Sequence, residues 1–128
     1  YTFEINDEQE DFTRPWIEQS PWADRITFLI GDAITEAPRL GVSFDLAFID
    51  GDKRTYRETY EMALSVVRKG GFILADNTLW DGHVVDPSYG KDQQTQGIVS
   101  FNDYVRQDSR VERVILPLRD GLTLIRKL

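Results

Sequence analysis

At 128 residues, with 41% hydrophobic and 29% charged content, the chain suits one domain spanning residues 1 to 128 with enough apolar material for a core. Its formal charge of −7 argues against non-specific binding to nucleic acid or an anionic membrane, since there is no basic surplus to neutralise phosphates, and small molecules or cations are the expected partners. Zero cysteines exclude disulfides and thiolate metal sites and fit a cytoplasmic setting, the lone His83 rules out a His-rich metal site, and no apolar run is long enough to span a bilayer.

In chain order, Tyr1 to Ile5 reads as a strand already under way, with no leader, so a preceding segment is expected. Asn6 with Gln9 starts a helix running toward Ser20, and Pro15 predicts a kink or break near Arg14, because a mid-helix proline lacks the amide hydrogen and crowds the preceding turn. Ile26 to Ile30 is β-branched and aromatic and forms the second strand, followed by a loop or short helix. Phe44 to Ile49 is nearly continuously apolar, as in a central parallel strand covered on both faces.

From Thr55 to Lys69 apolar residues recur every three or four positions, predicting an amphipathic helix stopped by Gly70-Gly71, and Phe72 to Ala75 is the next strand. Residues 81 to 95 read as a long surface loop over a site. Gly97 to Arg106 predicts a helix with Ile98, Phe101, Tyr104 and Val105 inward. Val111 to Leu118 and Leu122 to Ile125 then form a strand pair joined through Asp120-Gly121. The alternation makes the fold α/β, mostly parallel, with a C-terminal antiparallel hairpin.

Ligands of parallel α/β sheets sit outside the carboxyl ends of the strands, and acidic groups stand at those ends. They are Glu4, Asp32, Asp50 with Asp52, and Asp76 with Asn77. Singly, each is as readily a helix cap or turn former; their concentration at one edge favours a site. Asp50, Asp76 and Asn77 offer oxygen donors of the kind hard cations prefer, and so few protein ligands leave room for waters or substrate, pointing to Mg²⁺ with Mn²⁺ or Ca²⁺ as alternatives. Lys53, three residues after Asp50, is an ordinary surface lysine if no cation binds. Beside one, its ammonium loses a proton more easily and it can serve as a general base.

Three stretches, Phe44 to Lys53, Gly70 to Gly82, and Asp120 to Leu124, together resemble the cation-dependent O-methyltransferases of the caffeoyl-CoA and catechol type, in order and along essentially the whole chain. The resemblance implies a Rossmann-like class I methyltransferase sheet, lacking here its first strand and glycine-rich loop, with the strand at Tyr1 not adjacent to the strand ending at Asp50. It implies transfer of a methyl group from S-adenosylmethionine to one of two vicinal phenolic hydroxyls of a small molecule. Glu4 would hold the cofactor ribose, Asp32 and Ala33 would lie beside its adenine, and Asp52 would reach its methionine part. Asp50, Asp76 and Asn77 would bind the divalent cation and Lys53 would be catalytic. Trp80, equally readable as a core residue, and Asp81 would contact substrate. A homodimer is also implied. A truncated catalytic domain of this kind is expected to bind cofactor poorly and to be inactive alone. Two other readings of the acidic edge are a receiver-like Mg²⁺-binding signalling domain and a non-catalytic domain retaining the fold.

Overall fold

A computed structural model describes residues 1 to 128 and groups them into two compact units, Tyr1–Gly41 and Val42–Leu128. In the first unit, β1 (Thr2–Glu4) pairs in parallel with β2 (Phe28–Ile30), with Glu4 opposite Ile30. The second strand is shorter than the apolar run because the Ile26 amide donates to the Ala23 carbonyl at 3.3 Å, closing a turn. Asn6 caps the turn Asp7–Gln9, accepting from the Glu8 amide at 3.1 Å, and α1 (Glu10–Glu18) follows.

Pro15 lies inside α1, which runs on through it, so the break expected near Arg14 as one outcome does not occur. The hydrogen bond that proline forfeits is to the carbonyl of Asp11, an exposed residue on a helix with no buried side chain, so water can take its place. The segment after β2 is a helix, α2 (Ala33–Arg39), started by Asp32, whose Oδ1 accepts from the Ile34 amide at 2.9 Å.

The second unit is built on a four-stranded sheet in the order β3-β4-β6-β5, formed by β3 (Phe44–Ile49), β4 (Val67–Ala75), β5 (Val111–Leu116) and β6 (Leu122–Lys127). β3 and β4 are parallel, while β6 runs antiparallel to both its neighbours, so this sheet is mixed and the reversed strand is the second of the hairpin. The chain is therefore α/β with a small parallel sheet and a mixed one, and β1 pairs with β2, not with β3.

Two helices complete the unit, α3 (Tyr56–Val66) and α4 (Gln93–Gln107). Their buried faces, Tyr56, Tyr60, Ala63 and Leu64 on α3 and Ile98, Phe101 and Val105 on α4, join Ile49, Ile73, Ala75 and Ile125 of the sheet in one core. Phe101 packs nearly perpendicular to both tyrosine rings, with centroids 5.4 Å from Tyr56 and 5.9 Å from Tyr60. Because side chains alternate along a strand, this packing covers one face, and Leu46, Phe48 and Phe72 point to the other, where they are exposed.

Gly70 and Gly71 do not stop α3. The helix ends at Val66, and β4 begins at Val67 and runs through both glycines. Phe44 pairs with Val67 but Leu46 with Phe72, so the extra residues of β4 form a bulge. Gly70 adopts φ +75° there, and a Cβ on Gly71 would stand 2.8 Å from the Asp45 carbonyl oxygen. The glycines are a sheet device. α4 starts four residues before the predicted Gly97 because Asp92 caps it, its Oδ2 accepting from the Thr95 amide and hydroxyl at 2.7 Å each. The stretch expected as an open loop contains helical turns at Trp80–Val85 and Pro87–Tyr89, with the His83 and Tyr89 rings stacked 3.5 Å apart.

Candidate active site

β3 and β4 deliver the acidic residues side by side. Ile49 is paired with Ala75, so Asp50 and Asp76 leave the sheet as neighbours, and the Asp76 amide donates to the Ile49 carbonyl at 3.0 Å. The Asn77 amide donates to Asp76 Oδ1 at 2.7 Å. No group of three or more His, Asp or Glu side chains is placed to hold a metal ion. The available donors at this edge are two carboxylates and one amide, an all-oxygen set whose chemistry fits a hard cation. Asp50 is half exposed, and only its Oδ1 is engaged.

Lys53 is held from both ends. Its side chain is 7% exposed, and Nζ donates to Asp50 Oδ1 at 2.9 Å and to the Tyr56 hydroxyl at 2.8 Å. Its amide donates to Gln94 Oε1 at 3.0 Å, and Gly97 of α4 packs directly on its carbonyl. The amine also lies 4.6 Å from the centre of the Tyr56 ring and 5.9 Å from that of Trp80. The surface-lysine reading is thus excluded: this is a buried amine aimed at the acidic edge. Tyr56 itself is fully buried, and burial, followed by the negative charges of Asp50 and Asp76, pushes its phenol well above the ordinary range, so it stays neutral.

The segment after Asp76 has an unusual backbone. Asn77, Trp80 and Asp81 have φ of 57°, 48° and 50°, in the left-handed region that costs non-glycine residues. Neighbouring elements hold it there. The Thr78 and Leu79 amides donate to the Gly121 and Asp120 carbonyls at 3.0 and 2.9 Å, Asn102 Nδ2 donates to the Thr78 carbonyl at 2.7 Å, and the Asp81 amide donates to the Asp120 carboxylate. Below them the Thr123 hydroxyl meets that of Thr78 at 2.8 Å, and both residues are buried. Trp80 is partly buried against the core, with the Lys53 amine over its ring. Asp81 is exposed.

Asp52 is engaged within its own chain: its carboxylate accepts from the Arg54 amide at 3.0 Å and from the Arg54 guanidinium, whose hydrogen bonds hold its pKa at about 2. In the first unit, Glu4 is the last residue of β1, paired with Ile30, and not a residue beyond the strand as read from the sequence, whereas Asp32 stands just after β2. Glu4 Oε1 accepts from the Asn6 amide at 2.8 Å, and the Gly31 amide donates to the Glu4 carbonyl at 2.8 Å. Asp32 serves as the cap of α2, and Ala33 is the first residue of that helix.

Tyr56, Gln94 and Gly97 were not singled out for the site by the sequence. Tyr56 gave only an apolar helix position, although its spacing of three from Lys53 puts both on one side of a helical turn. Gly97 gave only the start of a helix, and its contact is with a residue 44 positions away in the chain.

The model of the O-methyltransferase family matches residues 1–128. Tricin synthase 2 of Oryza sativa subsp. japonica is 38% identical over 136 residues, covering 98% of this chain and 47% of that protein. A caffeoyl-CoA O-methyltransferase of Mesembryanthemum crystallinum is 33% identical over 136 residues, covering 98% of this chain and 54% of that protein. The chain therefore spans about half the length of these curated relatives. Among solved structures, an O-methyltransferase from Bacillus cereus in complex with SAH superposes with a TM-score of 0.88 at 27% identity, over 99% of this chain and 61% of that one. The match over all residues removes the ground for a receiver-like reading, and the chain belongs to the O-methyltransferase family.

Proposed function

We propose that the protein transfers a methyl group from S-adenosylmethionine to one of two vicinal phenolic hydroxyls of a small, catechol-like molecule, assisted by a divalent cation, Mg²⁺ in the first place and Mn²⁺ or Ca²⁺ as alternatives. The observation that carries this reading is the Lys53 amine, 7% exposed and held 2.9 Å from Asp50 at the edge where Asp76 and Asn77 also end, in a chain of this family.

Asp50, Asp76 and the Asn77 amide oxygen would hold the cation. When bound, the cation lowers the pKa of a phenol that it touches and the sulfonium supplies the methyl group. The chain's own residues do the rest. Lys53 Nζ receives the phenolic proton, Trp80 walls the acceptor beside that amine, and Asp81 meets the remainder of the acceptor at the exposed rim. Glu4, Asp32, Ala33 and Asp52 are assigned to the cofactor. A carboxylate accepts the two ribose hydroxyls at Glu4, and Asp52 becomes available only if Arg54 releases it. Orientation of the acceptor oxygen is the main contribution asked of the protein. No helix is long and apolar enough to cross a membrane, and the proposed setting is a cytoplasmic homodimer without nucleic-acid or membrane partners.

The test is methyl transfer to a catechol with S-adenosylmethionine and Mg²⁺, with and without EDTA, by the protein that carries this chain together with the preceding segment expected from the sequence, because the chain alone is expected to be inactive. Turnover that EDTA abolishes and added Mg²⁺ restores is the expected result. Unchanged turnover in the metal-free sample would refute the cation's role, and no turnover on any vicinal diphenol would refute the acceptor class.

A further inference from the structure

We infer that Tyr56 is a positioning residue for Lys53, its hydroxyl fixing the amine at the carboxyl edge of β3 and β4; this rests on the reading of Lys53 as the base. The geometry restricts what that hydroxyl can do. It has a single hydrogen, and three groups surround its oxygen: Lys53 Nζ at 2.8 Å, the Asp76 carbonyl at 2.8 Å and the Ile49 carbonyl at 3.2 Å. The carbonyls only accept, so the phenol donates to one of them, Asp76 being the closer, and receives the Lys53 hydrogen bond on its own lone pair.

The position of the oxygen is itself determined. Ile49 is the last residue of β3 and Asp76 directly follows β4, one residue before a proposed ligand and at another, so the hydroxyl is referenced to both strand ends at once. The ring is fully buried and braced edge-on against Phe101 at 5.4 Å, which leaves it no rotamer to explore. Lysine has four rotatable side-chain bonds, and Asp50, half exposed, is a yielding partner. The rigid end of the Lys53 contact is therefore Tyr56. The hydroxyl couples the amine to the backbone that places Asp76, so that base and acidic edge keep one spacing.

A matched control exists on the same helix. Tyr60 is also fully buried, also meets Phe101 edge-on at 5.9 Å, and spends its hydroxyl on Asp108 at 2.9 Å, away from Lys53. Tyr56→Phe and Tyr60→Phe each delete one buried hydroxyl and keep the ring. Two measurements separate positioning from mere packing. The first is labelling of the Lys53 amine by trinitrobenzenesulfonate, followed by mass spectrometry, which needs no activity. The second is kcat against KM for the methyl acceptor. Tyr56→Phe is expected to raise Lys53 labelling several-fold and to lower kcat about 10- to 100-fold with KM changed less than about twofold, as for a displaced catalytic group; Tyr60→Phe is expected to change neither. Equal labelling in the two variants, or a kcat in Tyr56→Phe equal to that of Tyr60→Phe, would overturn the assignment. Should no methyl transfer be found in the unaltered protein, the labelling arm still decides the position of the amine.

Discussion

Gly97 of α4 lies so close to Lys53 that a Cβ built on it would stand 2.1 Å from the Lys53 carbonyl oxygen and 2.9 Å from the Arg54 Cα. The contact is backbone to backbone, so no side chain can rotate away to relieve it. Gly97→Ala therefore sets two effects against each other. Alanine favours a helix interior by about 1 kcal/mol over glycine, while forcing α4 away from the turn Lys53–Thr55 costs about 1–3 kcal/mol. The clash wins. The variant is expected to melt several degrees lower and to lose methyl transfer out of proportion to its stability, since the displaced turn carries the amine. Thermal unfolding followed by circular dichroism, with the assay run well below the melting point, checks both parts. A variant more stable than the parent would show that the helix accommodates the methyl.

Gly121 is the second close approach. It has φ +83°, and a Cβ there would lie 2.4 Å from Leu79 Cγ and 2.8 Å from the Leu79 nitrogen. The same turn accepts the Thr78 and Leu79 amides, which keep Asn77 and Trp80 in their left-handed conformations. Gly121→Ala should cost about 1–3 kcal/mol from the strained φ alone. Because the clash falls on the strap that shapes the proposed ligand segment, Mn²⁺ affinity read by electron paramagnetic resonance is expected to fall with stability. A loss of stability with Mn²⁺ binding intact would place the turn outside the control of that segment.

The acid dependence of stability should centre on Asp108. The hydrogen bonds from the Arg110 guanidinium, helped by those from the Arg110 amide and the Tyr60 hydroxyl and opposed by burial, hold its carboxyl at about 2 against an ordinary 3.8. A depressed carboxylate pKa means the native state binds protons less readily than the unfolded chain. The stabilisation is complete above the unfolded value and is lost as pH falls from about 4 toward 2, on the order of 2 kcal/mol. Asp108→Asn should therefore be less stable at pH 7 by roughly that amount, with the gap closing near pH 2. Urea unfolding of both proteins at pH 7 and pH 2.5 measures it, and a gap equal at both values would show that the charge of Asp108 contributes nothing.

What the sequence made legible follows from how far each signal reaches along the chain. Apolar runs ending in acids located β3 and the acidic edge, because strand and ligand positions are contiguous. Resemblance over the three motif stretches located Lys53, whose burial no local pattern announces. Gly70-Gly71 misled because a glycine pair after a helical pattern has the same composition whether it ends a helix or opens a bulge, and the deciding neighbour, the Asp45 carbonyl, lies about 25 residues upstream. Pro15 misled because the penalty for a mid-helix proline depends on whether water can reach the freed carbonyl. Tyr56 was read by its apolar ring, whereas its contribution to the site lies in one hydroxyl that meets two strand ends, a convergence visible only after folding.

The role of Lys53 divides into charge and proton, and two substitutions separate them. Lys53→Met removes both. The side chain is 7% exposed while its partner Asp50 is 53% exposed, so methionine fills the buried channel and Asp50 turns to solvent, with little expected loss of stability. The Tyr56 hydroxyl keeps its donation to the Asp76 carbonyl. Methyl transfer should fall about 10²- to 10⁴-fold, the range for loss of a general base. Lys53→Arg restores the positive charge and the ability to donate to Asp50 but supplies no group that can take a proton, because a guanidinium stays protonated in proteins. If Lys53 accepts the phenolic proton, the arginine variant is as slow as the methionine one. If Lys53 acts only as a fixed cation, arginine recovers much of the rate. Single-turnover rates of the three proteins, with acceptor and Mg²⁺ saturating, distinguish the two, and recovery by arginine to within about tenfold of the parent would remove the assignment of Lys53 as the base.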